Sequence, residues 1–441
     1  MEGKMIPKKY NIERGGTLSV CQTEKFKAGM LSVSLVLPIE RESVWKTSLL
    51  LSVLRRGTEK YPTLSAINQR LDYLYGTELS IRNFYRGDSQ IIGFSADILG
   101  SAYLPDGEDL TAGVLDVMRE ILFHPLLDEN GLLLERYVES EKKQQCDNIR
   151  SLKNNPRGYA SEQCRALLYQ NEPCGASVYG NIEDIMALTP AELTAHWRAL
   201  IATVTPACFY VGADDAETLQ NALNTTFLQD LAENPAECSQ AFPSIVRCAS
   251  EVRRAEEELP VGQSQLVIGL RTNAAIFDSA YYACAVFNEL LGASPASKLF
   301  MNVRERLSLC YFCASNYNAY KGTILIHCGL DRADRVRAEE EIFAQLRAIT
   351  EGDFSDEELT AAKLSIVNAY RQIEDSPAAL ESFYFGRALI GVFDTTEDVR
   401  ARFAAVTREE VITAAKQITT DVVYFLNGTL AGGEEDENED D

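Results

Sequence analysis

The helix-borne zinc motifs that activate water use two histidines spaced to share one helical face and a carboxylate to take the proton. This chain of 441 residues has three histidines, His124, His196 and His327, and none has another within four residues. No register yields HExxH or HxxEH, so hydrolysis by a helix-borne zinc pair is excluded by inventory. His124 precedes Pro125 at the end of a helical run, His196 sits beside Trp197 within one, and His327 alternates with apolar residues in a strand-like segment. Each reads as a structural histidine. Cysteine carries the other metal chemistry, and there are 11 cysteines, an odd number at irregular spacing. That is the pattern expected of reduced, mostly buried thiols in a cytosolic protein. Only Cys310 and Cys313 form a CxxC. One such pair in an apolar run, with no second pair nearby, is a poor zinc knuckle and reads as structural.

The surrounding chain is of ordinary globular composition, 46% hydrophobic and 24% charged, and its length points to two to four domains. No stretch approaches the roughly 18 apolar residues of a membrane span. The start, MEGKMIPKKYNIERGG, has basic residues but no apolar h-region, so no secretory signal is expected and a cytoplasmic location is the default. The formal charge is −23, of which seven acids lie in the tail GGEEDENEDD over 432–441. That tail is expected to be disordered and solvating. The acidic body lacks a basic stripe for phosphate and argues against nucleic acid. It suits a basic or neutral peptide better than an acidic ligand.

The chain also resembles itself. INQRLDYLYGTELSIRNFYRGDSQIIGFSADI from Ile67 aligns with VRERLSLCYFCASNYNAYKGTILIHCGLD from Val303, setting Arg70 on Arg306, Leu71 on Leu307 and Tyr75 on Tyr311. After one residue of slippage, Tyr85-Arg86-Gly87 meets Tyr320-Lys321-Gly322 before an alternating, strand-like run. Each half places strands such as LSVSLVLP and SQIIGFSADI before longer helical segments, over 112–122 and 132–149 in the first half and 339–350 and 356–373 in the second. The expected fold is α+β: two homologous domains, each a mainly antiparallel sheet with helices on one face, closing as half of a clamshell. The expected boundaries are 1–228, a linker over 229–262 rich in Pro, Ser and charge, 263–430, and the tail 431–441.

One loop makes the resemblance specific. RRGTEKYPT, over 55–63, is similar to the FKGTxxYP loop that follows the inverted zinc motif HxxEH in the pitrilysin/insulinase peptidases. Further landmarks fall in that family's order: LDYLYGTELS, EPCGASVYGNIEDIMALTPAEL and NELLGASPASKLFMNVRERLSLCYF. The similarity runs from about Leu18 to Leu426, and the short two-domain bacterial members resemble the chain most. It implies that the two zinc histidines belong at Ser48 and Ser52, the catalytic glutamate at Leu51, and the third ligand at Asn148, seven residues after Glu141 of the Glu141-Lys142 pair. Hydroxyls and a carboxamide cannot replace imidazoles and a carboxylate for zinc, and Leu51 cannot act as a base. The zinc site is degenerate, no catalytic residue is expected, and no metal is expected in this chain.

The resemblance further implies an Arg and a Tyr seven residues apart in the second domain, gripping peptide and assisting the oxyanion, and Arg304 and Tyr311 stand at that spacing. In the first half the matching positions hold Asn68 and Tyr75. The alternative is that Arg304 pairs within its own helix and Tyr311 is a core aromatic. Some members of the family pair a subunit carrying HxxEH with one carrying Arg/Tyr. The expectation is therefore an inactive homologue partnered by an HxxEH-bearing subunit, or by a second copy of itself, and helping to bind extended peptide, with zinc only in the partner. A peptide- or protein-binding scaffold without proteolysis, linked to protein maturation, is the alternative.

Overall fold

Alternation decides the strands. In β3 (Ala28–Pro38) Leu31, Val33 and Leu35 enter the first core while Ser32 and Ser34 point to the opposite face, although all five are fully buried. The computed structural model describes residues 5–105, 108–233 and 242–430. The expected acidic tail, 431–441, and residues 234–241 of the expected linker lie outside the described residues. Among these residues no helix is long and apolar enough to cross a membrane.

The first sheet comprises β1 (Lys8–Asn11), β2 (Thr17–Gln22), β3, β4 (Leu79–Arg86), β5 (Ser89–Leu99) and β6 (Pro206–Gly212), in the order β1-β2-β6-β3-β5-β4. The second comprises β7 (Arg253–Leu259), β8 (Ser264–Arg271), β9 (Phe312–Asn318), β10 (Thr323–Leu330) and β11 (Thr419–Gly428), in the order β7-β11-β8-β10-β9. Each has one parallel pair, β2 with β6 and β7 with β11, and is otherwise antiparallel. The run β2-β6-β3-β5-β4 thus has the order and strand directions of β7-β11-β8-β10-β9. The tight β4–β5 and β9–β10 turns both place glycine at positive φ, Gly87 at 59° and Gly322 at 62°.

The described chain falls into two compact units, and neither is continuous in sequence. The first takes its residues from 1–150, 176–242 and 373–393, the second from 151–175, 243–372 and 394–441. In the first, α1 (Val44–Leu54), α2 (Leu64–Tyr73), α3 (Leu110–Phe123) and α4 (Glu135–Ser151) supply apolar side chains to the main core. The other face of that sheet is covered by the Pro377–Ala388 helix, whose Leu380 and Phe385 pack on Cys21, Ile91, Phe209 and Val211. In the second unit, α5 (Pro156–Leu168) lies on β8 and β11.

Each of these two transferred helices starts in the same way. Asn155 and Ser376 are N-caps, accepting from the backbone N–H of Gly158 and Ala379, and Pro156 and Pro377 fill the first turn. Both segments also carry a buried acid held by the host sheet. Glu381 receives Arg82 at 2.6 and 3.1 Å and the Ser32 hydroxyl at 3.0 Å. Glu172, just beyond α5, receives Arg271 at 2.8 Å and Lys321 at 2.7 Å.

Candidate functional site

Helical spacing places residues i, i+3 and i+4 on one face, and α1 turns Ser48, Leu51 and Ser52 together toward a cleft of about 350 Å³. Across it α4 presents Glu141, Gln144, Gln145 and Asn148, and β4 supplies Ile81 and Asn83. The four positions that the family resemblance implies for zinc ligands and general base, Ser48, Leu51, Ser52 and Asn148, line one cleft within the first unit. The opposite face of α1 carries the helix into the core, with Leu49, Leu50, Val53 and Leu54 all 3% exposed or less.

The cleft is hydrogen-bonded in a way that differs from a metal centre. Asn83 Nδ2 donates to Ser48 Oγ at 2.7 Å, and Gln90 Nε2 donates to Asn83 Oδ1 at 2.9 Å. Ser52 donates back to the Ser48 carbonyl at 3.4 Å, Gln144 Nε2 to Asn148 Oδ1 at 3.1 Å, and Gln145 Nε2 to the Tyr179 carbonyl at 2.6 Å. The lining has neither histidine nor cysteine. Neutral hydroxyls and amides of this kind bind peptide groups but do not ionise water. Leu51, where the proton acceptor would stand, is a buried hydrocarbon at 5% exposure.

Sequence reasoning named Glu141 only as a landmark, yet it is the carboxyl that lines the cleft. It pairs with Arg56 at 3.4 Å, and burial pushes its carboxyl up against the opposing pull of that guanidinium. An acid whose folded pKa is raised adds stability below the unfolded pKa and loses it as pH rises through the folded value. Glu141→Gln is therefore expected to melt above the wild type at pH 7, with the difference vanishing under acidic conditions. Thermal melts across that range check it.

The loop that carries the resemblance is built for packing. Thr58, fully buried, donates its N–H to the Tyr61 carbonyl at 2.8 Å and accepts at Oγ1 from the Tyr61 N–H at 2.9 Å. Lys60 meets Asp116 of α3 at 2.6 Å, and Thr63 caps α2. Gly57 approaches so closely that an added Cβ would lie 2.5 Å from the Pro62 carbonyl oxygen. Gly57→Ala is expected to cost about 1–3 kcal/mol by overpacking backbone against backbone, measured as a lower urea midpoint with an unchanged slope.

None of the histidines enters the cleft. His124 Nε2 lies 2.7 Å from Asp230, and His196 Nε2 lies 2.9 Å from Thr47 Oγ1, with its pKa lowered by burial and then by Lys46. His327 is pushed down to about 4 by burial and by Arg157.

In the second unit Arg304 belongs to a π-type helical turn, Leu299–Arg306. Its guanidinium lies 4.7 Å from the Phe300 ring centroid and 3.6 Å from Glu305, with the side chain 42% exposed. Tyr311 is 57% exposed and donates to Asp331 at 3.0 Å, so it is not a core aromatic. Arg304 thus pairs with its immediate neighbour within the same helical turn.

Comparison with known proteins gives a consistent set of relatives. Residues 187–366 match the family described as "Peptidase M16 inactive domain". The chain is 30% identical over 416 residues to "Probable inactive metalloprotease YmfF" of Bacillus subtilis strain 168, across 94% of this chain and 96% of that protein. It is 19% identical to "Uncharacterized zinc protease YmxG" of the same organism, across 82% and 87% of the two chains. The crystal structure of a conserved protein from Enterococcus faecalis V583 superimposes with a TM-score of 0.86 at 25% identity, across 97% of this chain and 100% of that one. The crystal structure of a peptidase M16 inactive domain from Pseudomonas fluorescens shares the fold, with a TM-score of 0.77 at 17% identity across 96% and 99%.

Proposed function

The chain belongs to the pitrilysin/insulinase (M16) peptidase family as an inactive homologue, and from that we propose that it is the subunit of a heterodimeric zinc peptidase that lacks the catalytic metal. Its part is to hold extended peptide in a chamber shared with a subunit that carries HxxEH. The observation that carries the reading is the cleft at Ser48, Leu51, Ser52 and Asn148. Neither histidine pair nor base stands at those positions, while the enclosing helices bring amides and hydroxyls, together with Glu141 and Arg55, to its lining. Such a lining complements peptide N–H and C=O groups, and the exposed Arg304 and Tyr311 offer a cation and a hydroxyl to a peptide carbonyl or carboxylate.

Purification of the complex from its native cell tests the reading. A homologue bearing HxxEH is expected in equimolar amount, with peptide hydrolysis present in the pair and absent from this chain alone. In the pair, Arg304→Ala is expected to raise KM about 10- to 100-fold, the range for losing a hydrogen bond to a charged group, with the partner's metal content unchanged. Isolation of a self-assembled chain without such a homologue, on which Arg304→Ala weakens peptide binding and alters no peptidase activity, would instead establish a scaffold without proteolysis.

A further inference from the structure

Cys310 and Cys313 were read from sequence as a lone CxxC, but the fold adds a third thiol. Cys313 on β9 and Cys328 on β10 are register partners across the hairpin and are both buried. Cys310 is delivered by the turn that follows Leu299–Arg306. Ser308 there adopts a left-handed φ of 49°, and the Tyr311 N–H donates to the Gly329 carbonyl at 2.8 Å, fixing the segment against the end of β10. The three sulfur atoms all lie within 4.8 Å of one another.

We propose that Cys310, Cys313 and Cys328 form a site for one thiophilic divalent cation of the Zn²⁺ class, distinct from the degenerate cleft in the first unit. A tetrahedral cation with metal–sulfur bonds of about 2.3 Å needs sulfurs about 3.8 Å apart, so small side-chain rotations close the set. Three thiolates from two strands and a turn form a soft donor set that oxygen-seeking cations do not favour. Cys310 is only half-buried, which gives the ion an entry path and leaves the fourth position to water. Each thiol releases its proton to solvent as its bond to the metal forms. The product of one divalent cation and three thiolates carries a single negative charge.

The test uses the full chain, reduced and stripped with a chelator. Cd²⁺ titration is expected to raise a thiolate-to-metal charge-transfer band that saturates at one equivalent, and Zn²⁺ is expected to displace the Cd²⁺. Cys310→Ser, Cys313→Ser and Cys328→Ser should each weaken uptake at least about tenfold, the lower end of what loss of a supporting residue costs a metal site. Cys284→Ser, at a buried thiol elsewhere in the unit, should leave uptake unchanged. Should a variant unfold, alkylation of the wild type decides: bound Zn²⁺ is expected to slow labelling of Cys310 at least tenfold. Equal uptake by the three variants, no saturable band in the reduced wild type, or Cys310 labelling indifferent to Zn²⁺ would each overturn the assignment.

Discussion

Arg271→Ala is expected to lower the unfolding free energy by about 3–5 kcal/mol, the cost of breaking a buried ion network from one side. The guanidinium is 2% exposed and ties three segments together. It reaches Glu172 at 2.8 Å, Asp421 at 2.8 Å, and the carbonyl of Leu168 at the end of α5. Removing it takes a cation from each of two carboxylates that are 5% exposed or less, Glu172, which keeps Lys321, and Asp421, which keeps Arg253. Those surviving cations place the expected loss toward the lower end of the range. Arg271→Lys should recover little, since one ammonium cannot reproduce three directed N–H bonds. Glu381→Ala tests the corresponding lock in the first unit, where Arg82 would lose its carboxylate partner. Urea unfolding followed by fluorescence and circular dichroism measures both. A change below about 1 kcal/mol would mean that apolar packing, rather than the buried acids, holds the transferred helices.

The second large effect is a gain. Ser48→His, Leu51→Glu, Ser52→His and Asn148→Glu together rebuild the donor set of the inverted zinc motif on helices that already bring the four positions to one cleft. The combined variant is expected to bind one more equivalent of zinc than the wild type. The increment excludes metal held at the cysteine cluster, which both proteins share. Two obstacles are visible. Asn83 must release Ser48, and a glutamate at the 5%-exposed position of Leu51 is costly until the cation or a substrate water is present. The gain should therefore appear in metal content before it appears in turnover. Failure of the folded variant to take up extra zinc would mean that α1 and α4 no longer hold the spacing of a metal site.

How much of this was legible in the sequence depended on whether the signal was local. Leu31, Val33 and Leu35 alternate with Ser32 and Ser34, and that alone marks a strand with one apolar face; burial of the serine face as well follows only from the fold. The loop residues Gly57, Tyr61 and Pro62 could be matched because turn chemistry is local and Gly57 tolerates no side chain. Two helices of the first half, expected over 112–122 and 132–149 from their helical spacing, lie within a few residues of those ranges, at Leu110–Phe123 and Glu135–Ser151. What no local pattern conveyed was the destination of a helix. Asn155-Pro156 and Ser376-Pro377 announce helix starts, but an apolar stripe does not say which sheet it will cover, and each joins the unit built mainly from the other half of the chain. Nothing local marks Glu172 and Glu381 as buried, because their partners Arg271 and Arg82 lie far away in sequence. The third cysteine was missed similarly: Cys328 joins Cys310 and Cys313 only when the β9–β10 hairpin closes. Tyr311 is expected at a peptide site or, alternatively, as a core aromatic, and local pattern does not separate the two; β9 begins one residue later and leaves its ring exposed.

A first unit with Ser48, Leu51, Ser52 and Asn148 at its cleft has no donor set with which to activate water. Incubating the purified chain alone with a mixed peptide library and added Zn²⁺, and following cleavage by mass spectrometry, tests this most directly. The expected result is no cleavage above the protein-free blank, whether or not metal occupies the cysteine cluster. Cleavage by the single chain that survives Cys310→Ser and is lost on Glu141→Ala or Asn148→Ala would place a working centre in the cleft and contradict the account.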